Sequence, residues 1–87
     1  MIKNGSIIEL SNEKKYMITD SSIEDGIVYY LSLVVDKISE IPTEESVFFK
    51  QIDQNTLVPI TNPDDVDFLK TIFVNKFLQH YMNEIEQ

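Results

Sequence analysis

Asp25-Gly26-Ile27-Val28-Tyr29-Tyr30-Leu31-Ser32-Leu33-Val34-Val35-Asp36 is the stretch on which the fold turns. Asp-Gly tolerates positive φ and starts a strand after a tight turn. The residues that follow are β-branched or aromatic and alternate with period two, the pattern of a strand. Ile27, Tyr29, Leu31, Leu33 and Val35 share one face with no polar member. Val28, Tyr30, Ser32, Val34 and Asp36 share the other. A strand apolar on one face and half apolar on the other belongs in the centre of a sheet, bent so that both faces find cover.

Working outward, residues 6–10 predict a short strand with Ile8 and Leu10 inward and Glu9 outward. Ser11-Asn12-Glu13 reads as a turn, residues 14–19 as a second strand and residues 20–26 as a polar loop. After the central strand, residues 37–45 form an acidic connection containing Pro42. Residues 46–53 and 56–61 are the fourth and fifth strands, joined by Asp53-Gln54-Asn55. Pro59 cannot donate to a ladder, which puts the fifth strand at an edge. Five strands in a meander predict a curled antiparallel sheet or a small SH3-like barrel.

A helix follows with a clear beginning. Asn62 caps it, Pro63 suits the first position, and Asp64 and Asp65 meet the positive end of the dipole. Nothing breaks it over residues 63–86, so it would be ~36 Å long, against ~17–20 Å for a strand of five or six residues. The expected fold is therefore α+β: one domain over 1–87, with the sheet in 1–61 and the helix in 62–87.

The apolar stripe of that helix changes direction. Val66, Leu69, Ile72 and Phe73 cluster on one face, with Phe68 at its margin. Val74, Phe77, Leu78, Tyr81, Met82 and Ile85 cluster on a face turned by more than ~90°, while Lys76, Gln79 and Asn83 take over the first sector. Two readings stand at this point. The second stripe covers another part of its own domain, with or without a kink near Val74–Lys76. Otherwise it faces another chain, a second copy or a foreign partner.

Composition excludes more than it assigns. Eighty-seven residues hold one core, and 43% hydrophobic with 25% charged residues is globular rather than disordered. Cysteine is absent, which removes disulfides, thiol nucleophiles and cysteine metal sites. The first residues contain a turn-like Asn4-Gly5 before any adequate apolar run, so no signal peptide is expected there. The longest nearly apolar stretch, residues 27–35, is far short of the ~20 residues a spanning helix needs. A cytoplasmic protein without membrane contact is the resulting expectation.

The net charge of −8 is uneven: residues 1–19 carry +1, residues 20–67 carry −9, and residues 68–87 balance. No arginine occurs, so the usual bidentate reader of phosphates and guanines is missing, and direct nucleic-acid binding is not expected.

No catalytic, cofactor-binding or metal-ligating set can be assembled. His80 is the single histidine, with Lys76 and Glu84 one turn either side on the helix, and reads as a solvated residue pairing with Glu84. No serine sits in a Gly-x-Ser-x-Gly turn. The run from Asp20 to Gly26 fails as a calcium loop, because its glycine falls at the seventh place and Leu31 stands where the glutamate belongs. Asp64, Asp65 and Asp67 are accounted for by capping and the dipole. An enzyme is not expected.

The acidic middle offers an alternative to the helix stripe. Asp20, Glu24, Asp25, Glu40, Glu44 and Glu45 could imitate a nucleic-acid backbone and block a basic site on a nuclease, in the manner of small phage inhibitors of restriction or CRISPR enzymes. Lack of alanine, arginine and tryptophan beside abundant isoleucine, lysine and asparagine points to an AT-rich genome. Gly5-Ser6-Ile7-Ile8-Glu9-Leu10, Lys15-Tyr16-Met17-Ile18 and Gly26-Ile27-Val28-Tyr29-Tyr30-Leu31 together resemble small uncharacterised proteins of low-GC Gram-positive bacteria and their phages. That resemblance covers about the first third of the chain and implies a β-meander with a C-terminal helix, but no activity. The function expected first is a non-enzymatic protein–protein interaction module that self-associates, as a homodimer, or binds a partner protein through the second helical stripe.

Overall fold

The computed structural model describes the backbone of residues 1–85 and the side chains of residues 1–81. Five strands, β1 (Ile7–Glu9), β2 (Lys15–Glu24), β3 (Ile27–Val35), β4 (Pro42–Asp53) and β5 (Thr56–Pro59), precede one helix, α1 (Pro63–Ile85). They form a single antiparallel sheet in the order β1-β2-β3-β4-β5, curled into a half-barrel whose outer strands do not pair. The expected α+β meander is the fold, with β3 at its centre.

Both faces of β3 are covered, by different means. Val28, Tyr30 and Val34 line the inside of the curl, where Tyr16, Ile18, Tyr30 and Phe49 form the main core. Tyr16 meets Phe49 edge to face at 4.9 Å, a favoured aromatic geometry. Polar atoms in this core are satisfied. Ser32, fully buried, donates to the Val47 carbonyl at 2.8 Å. The Tyr30 hydroxyl donates to Gln51 Oε1 at 2.9 Å and accepts from the Ile2 amide at 3.1 Å, which ties down the N-terminal segment. On the outer face Tyr29, Leu31 and Phe48 meet Leu69 and Phe73 of α1. The neighbours Phe48 and Phe49 thus point into two separate cores, as period two requires.

Two expected boundaries move. The segment 20–26 is strand as far as Glu24, because Asp20, Ser21 and Ser22 pair with Leu31, Tyr30 and Tyr29. Only Asp25 and Gly26 make the turn, both at positive φ (53° and 79°), as a two-residue hairpin loop needs. Likewise β4 begins at Pro42, within the expected connection. Thr43 to Glu45 bulge opposite Val34, and the Thr43 hydroxyl donates to the Val34 carbonyl at 2.8 Å. In both places the polar composition masked the strand.

A third irregularity sets the geometry of the outer face. Ile18 pairs with Ser32 and Asp20 with Leu31, so Thr19 is one residue extra, and its hydroxyl donates to the Leu31 carbonyl at 3.1 Å. Such a bulge inverts the side-chain alternation beyond it. Without it Asp20 would share the core face of Tyr16 and Ile18. With it, Asp20 stands on the helix-bearing face beside Leu31.

The helix starts as expected: Asn62 Oδ1 accepts the Asp64 amide at 2.9 Å, and Val66 closes the first turn on the Asn62 carbonyl at 3.0 Å. It then crosses the strands, packing on Phe48 of β4, next on Tyr29 and Leu31 of β3, and reaching β2 at Lys76. Ten residues from Val66 to Lys76 advance ~15 Å, about the width of three strands. There the sheet ends, because β1 pairs only with Lys15 to Met17.

Candidate interaction surface

The helix continues without interruption past this edge. At ~100° per residue, Lys76 still points toward the sheet, whereas Val74, Phe77, Leu78 and Tyr81 centre roughly 120° away from the sheet-facing stripe. Their exposures are 55%, 66%, 46% and 52%. The described members of the second stripe, Val74, Phe77, Leu78 and Tyr81, are therefore not buried against their own domain. Phe77 and Tyr81, one turn apart, stack with ring centroids 6.5 Å apart and planes 11° from parallel. Met82 and Ile85, expected in the same stripe, lie outside the described side chains.

The junction between the packed and overhanging halves is a polar clamp. Lys76 Nζ donates to Asp20 Oδ1 at 2.9 Å and to the Ser21 carbonyl. The same Asp20 oxygen accepts the Ser21 amide at 2.8 Å. Beyond the two-residue turn, alternation of the ladder aims both backbone groups of Ser21 at the open edge of β2. Side chains thus occupy two of the polar groups this free edge would otherwise offer to another strand. The opposite edge is blunted differently. Ile60 donates to Phe48, so the backbone of Pro59 faces outward, where its missing amide removes a donor.

The six carboxylates of the acidic alternative do not converge. Asp25 and Glu24 sit at the β2–β3 turn, with Glu24 accepting from Ser22 at 2.7 Å. Glu40, Glu44 and Glu45 sit at the other end of β3, about 26 Å away along the strand. Asp20 is held by Lys76, and Glu40 lies 3.7 Å from Lys15. A surface hollow also lies elsewhere, between β1, β2 and β3, where Lys14, Lys15 and Lys37 interleave with Glu9 and Glu13.

His80 is exposed on α1, and the side chain of Glu84 lies outside the described ones. Asp64, Asp65 and Asp67 are exposed at the helix start. Among the described residues, no three histidine, aspartate or glutamate side chains are grouped to hold a metal ion, and no helix is long and apolar enough to cross a membrane. The chain matches no family model, no curated protein and no solved structure.

The sequence revealed the stripe and its change of direction. It did not reveal the Lys76–Asp20 clamp, because the Thr19 bulge that turns Asp20 outward leaves no mark beyond a threonine in a strand.

Proposed function

We propose that this protein is a non-enzymatic interaction module that self-associates through the overhanging half of α1. The observation that carries this reading is the contiguous exposure of Val74, Phe77, Leu78 and Tyr81 on a helix that has run off its own sheet. Together they expose on the order of 400 Å² of apolar surface, within the range where monomers place functional contact patches. A dimer burying this surface twice, with its polar rim, approaches the ~1,200 Å² at which stable interfaces begin. The affinity expected of so small a contact is on the order of micromolar. The proposed setting is the cytoplasm of a low-GC Gram-positive bacterium or its phage, in keeping with the composition and the strand cadence of the first third.

Sedimentation velocity across a concentration series, at low and high salt, tests the reading. A reversible dimer that persists at high salt and disappears in Phe77→Glu/Tyr81→Glu supports it. Both side chains lie outside the two cores, so the variant is expected to keep the wild-type circular dichroism and unfolding midpoint. A monomer at every concentration up to ~1 mM, or a dimer indifferent to the substitutions, overturns it.

A further inference from the structure

We infer that the second copy docks antiparallel, with the two overhanging half-helices side by side across a two-fold axis between Phe77 and Leu78, and the two sheets at opposite ends of the helix pair. This rests on reading the stripe as the self-association surface, and it fixes how two copies use it.

Charge decides the orientation. Residues 20–67 carry −9, whereas residues 68–87 are neutral by count, and Lys76 already neutralises Asp20 at the junction. The stripe thus lies in the uncharged part of a strongly acidic molecule. Parallel helices would set two acidic sheets side by side at contact distance. With the two-fold between Phe77 and Leu78, antiparallel helices offset the centres of the two sheet-packed segments, Val66 to Lys76, by roughly 20 Å along the axis, which exceeds the Debye length of ~8 Å at physiological salt. The helix dipoles favour the same orientation, since each C-terminal half then runs toward its partner's N-terminal end.

Shape agrees with charge. A two-fold axis between Phe77 and Leu78 sets Val74 against the partner's Tyr81 and Phe77 against the partner's Leu78. Each layer then pairs an aliphatic side chain with an aromatic one, and no layer doubles two large rings or two small groups. The stripe is its own complement only when reversed. In a parallel pair Val74 would face Val74 and Tyr81 would face Tyr81, leaving a gap at one end and crowding at the other. The sheet does not obstruct either copy, because the stripe is turned roughly 120° from the sheet-facing side.

The absence of cysteine allows a single label site on the full chain. Asp67 is exposed on α1, about one turn after its start, and lies on the stripe side of the helix. Pulsed electron-spin distance measurement on nitroxide-labelled Asp67→Cys, at a concentration where sedimentation shows the labelled protein dimeric, reads the orientation directly. The antiparallel arrangement separates the two labels by roughly 30 Å along the helix axis, whereas a parallel pair holds them within ~15 Å. A single distance peak near or above 30 Å supports the inference. A peak below 20 Å overturns it while leaving the stripe as the contact surface. A labelled dimer whose distance is unchanged by Phe77→Glu/Tyr81→Glu overturns both.

Discussion

Lys76 of α1 stands 2.9 Å from Asp20 of β2, and the two meet because β2 carries one extra residue at Thr19. The bulge moves Asp20 from the core face to the helix face, and the helix arrives there with a lysine where its inner stripe would otherwise place an apolar side chain. This contact ties α1 to β2 beyond the apolar contacts of Leu69 and Phe73 with the sheet. It also occupies both backbone groups of Ser21 on the open edge of β2. One ion pair therefore lies at the boundary between the sheet-packed stripe of the helix and the exposed one.

Loss of this clamp is expected to change solubility more than stability. The side chains of Lys76 and Asp20 remain 48% and 31% exposed, so the pair contributes at most ~1 kcal/mol, and less in high salt. Lys76→Ala should shift the urea midpoint slightly while uncovering the Ser21 carbonyl on the β2 edge. Faster fibril or turbidity growth than wild type, at nearly equal unfolding free energy, is the expected result. A loss above ~2 kcal/mol would show that the clamp holds the helix down rather than guarding the edge.

The two cores should fail separately. Phe48→Ala and Phe49→Ala each remove a buried ring, which costs ~3–5 kcal/mol, a large share of the ~5–10 kcal/mol expected for a chain of this size. Phe48 stacks on Phe73 with centroids 5.7 Å apart and belongs to the helix–sheet contact. Phe49 belongs to the inside of the curl with Tyr16 and Tyr30. Hydrogen exchange should therefore show Phe48→Ala loosening α1 before the sheet, whereas Phe49→Ala lowers protection throughout. Equal loss in both variants would mean that helix and sheet unfold as one unit.

Punctuation made most of the fold readable in the sequence. Asp25-Gly26, Asn62-Pro63 and the alternation of residues 27–35 each have one local solution, and the structure adopts it. Asp20-Ser21-Ser22 and Pro42 to Glu45 read as loop because their residues are polar, yet pairing with the apolar β3 makes them strand. Strand identity there comes from the neighbour, not from the segment. The helix stripe was visible from periodicity alone. Its exposure depends on where β1 stops, a tertiary fact that periodicity does not carry.

Gly26 offers a clean test of local conformation. Its φ of 79° lies where side-chain-bearing residues are strained, and a Cβ built there meets nothing within 4 Å. Gly26→Ala should therefore lose ~1 kcal/mol from backbone strain alone, with the crystal or solution structure of the hairpin unchanged. Gly26→Asn, which tolerates this region better, should lose less. Equal losses in the two variants would count against a purely conformational origin.

The β3–β4 turn should respond to acid. Asp36 Oδ1 accepts the amides of Ile38 at 2.8 Å and Ser39 at 2.9 Å, with the Ser39 amide first and the Ile38 amide second in holding this carboxyl below the ordinary aspartate range. Asp53 is lowered in the same way, first by the Asn55 amide and then by the Thr56 hydroxyl. A carboxylate depressed in the folded state adds stability that is fully present above its unfolded pKa of about 3.9 and is lost as pH falls through the lower folded value. Between pH 7 and about 4.5 the turn should be insensitive to pH, and below about pH 4 it should loosen. Carboxyl titration by NMR checks this directly, with the Asp36 midpoint expected below the ordinary aspartate value. Asp36→Asn should flatten the acid response of the Ile38 and Ser39 amides, because its side-chain oxygen still accepts their protons but does not titrate. If those amides in the asparagine variant still shift on acidification as wild type does, the response originates elsewhere in the chain.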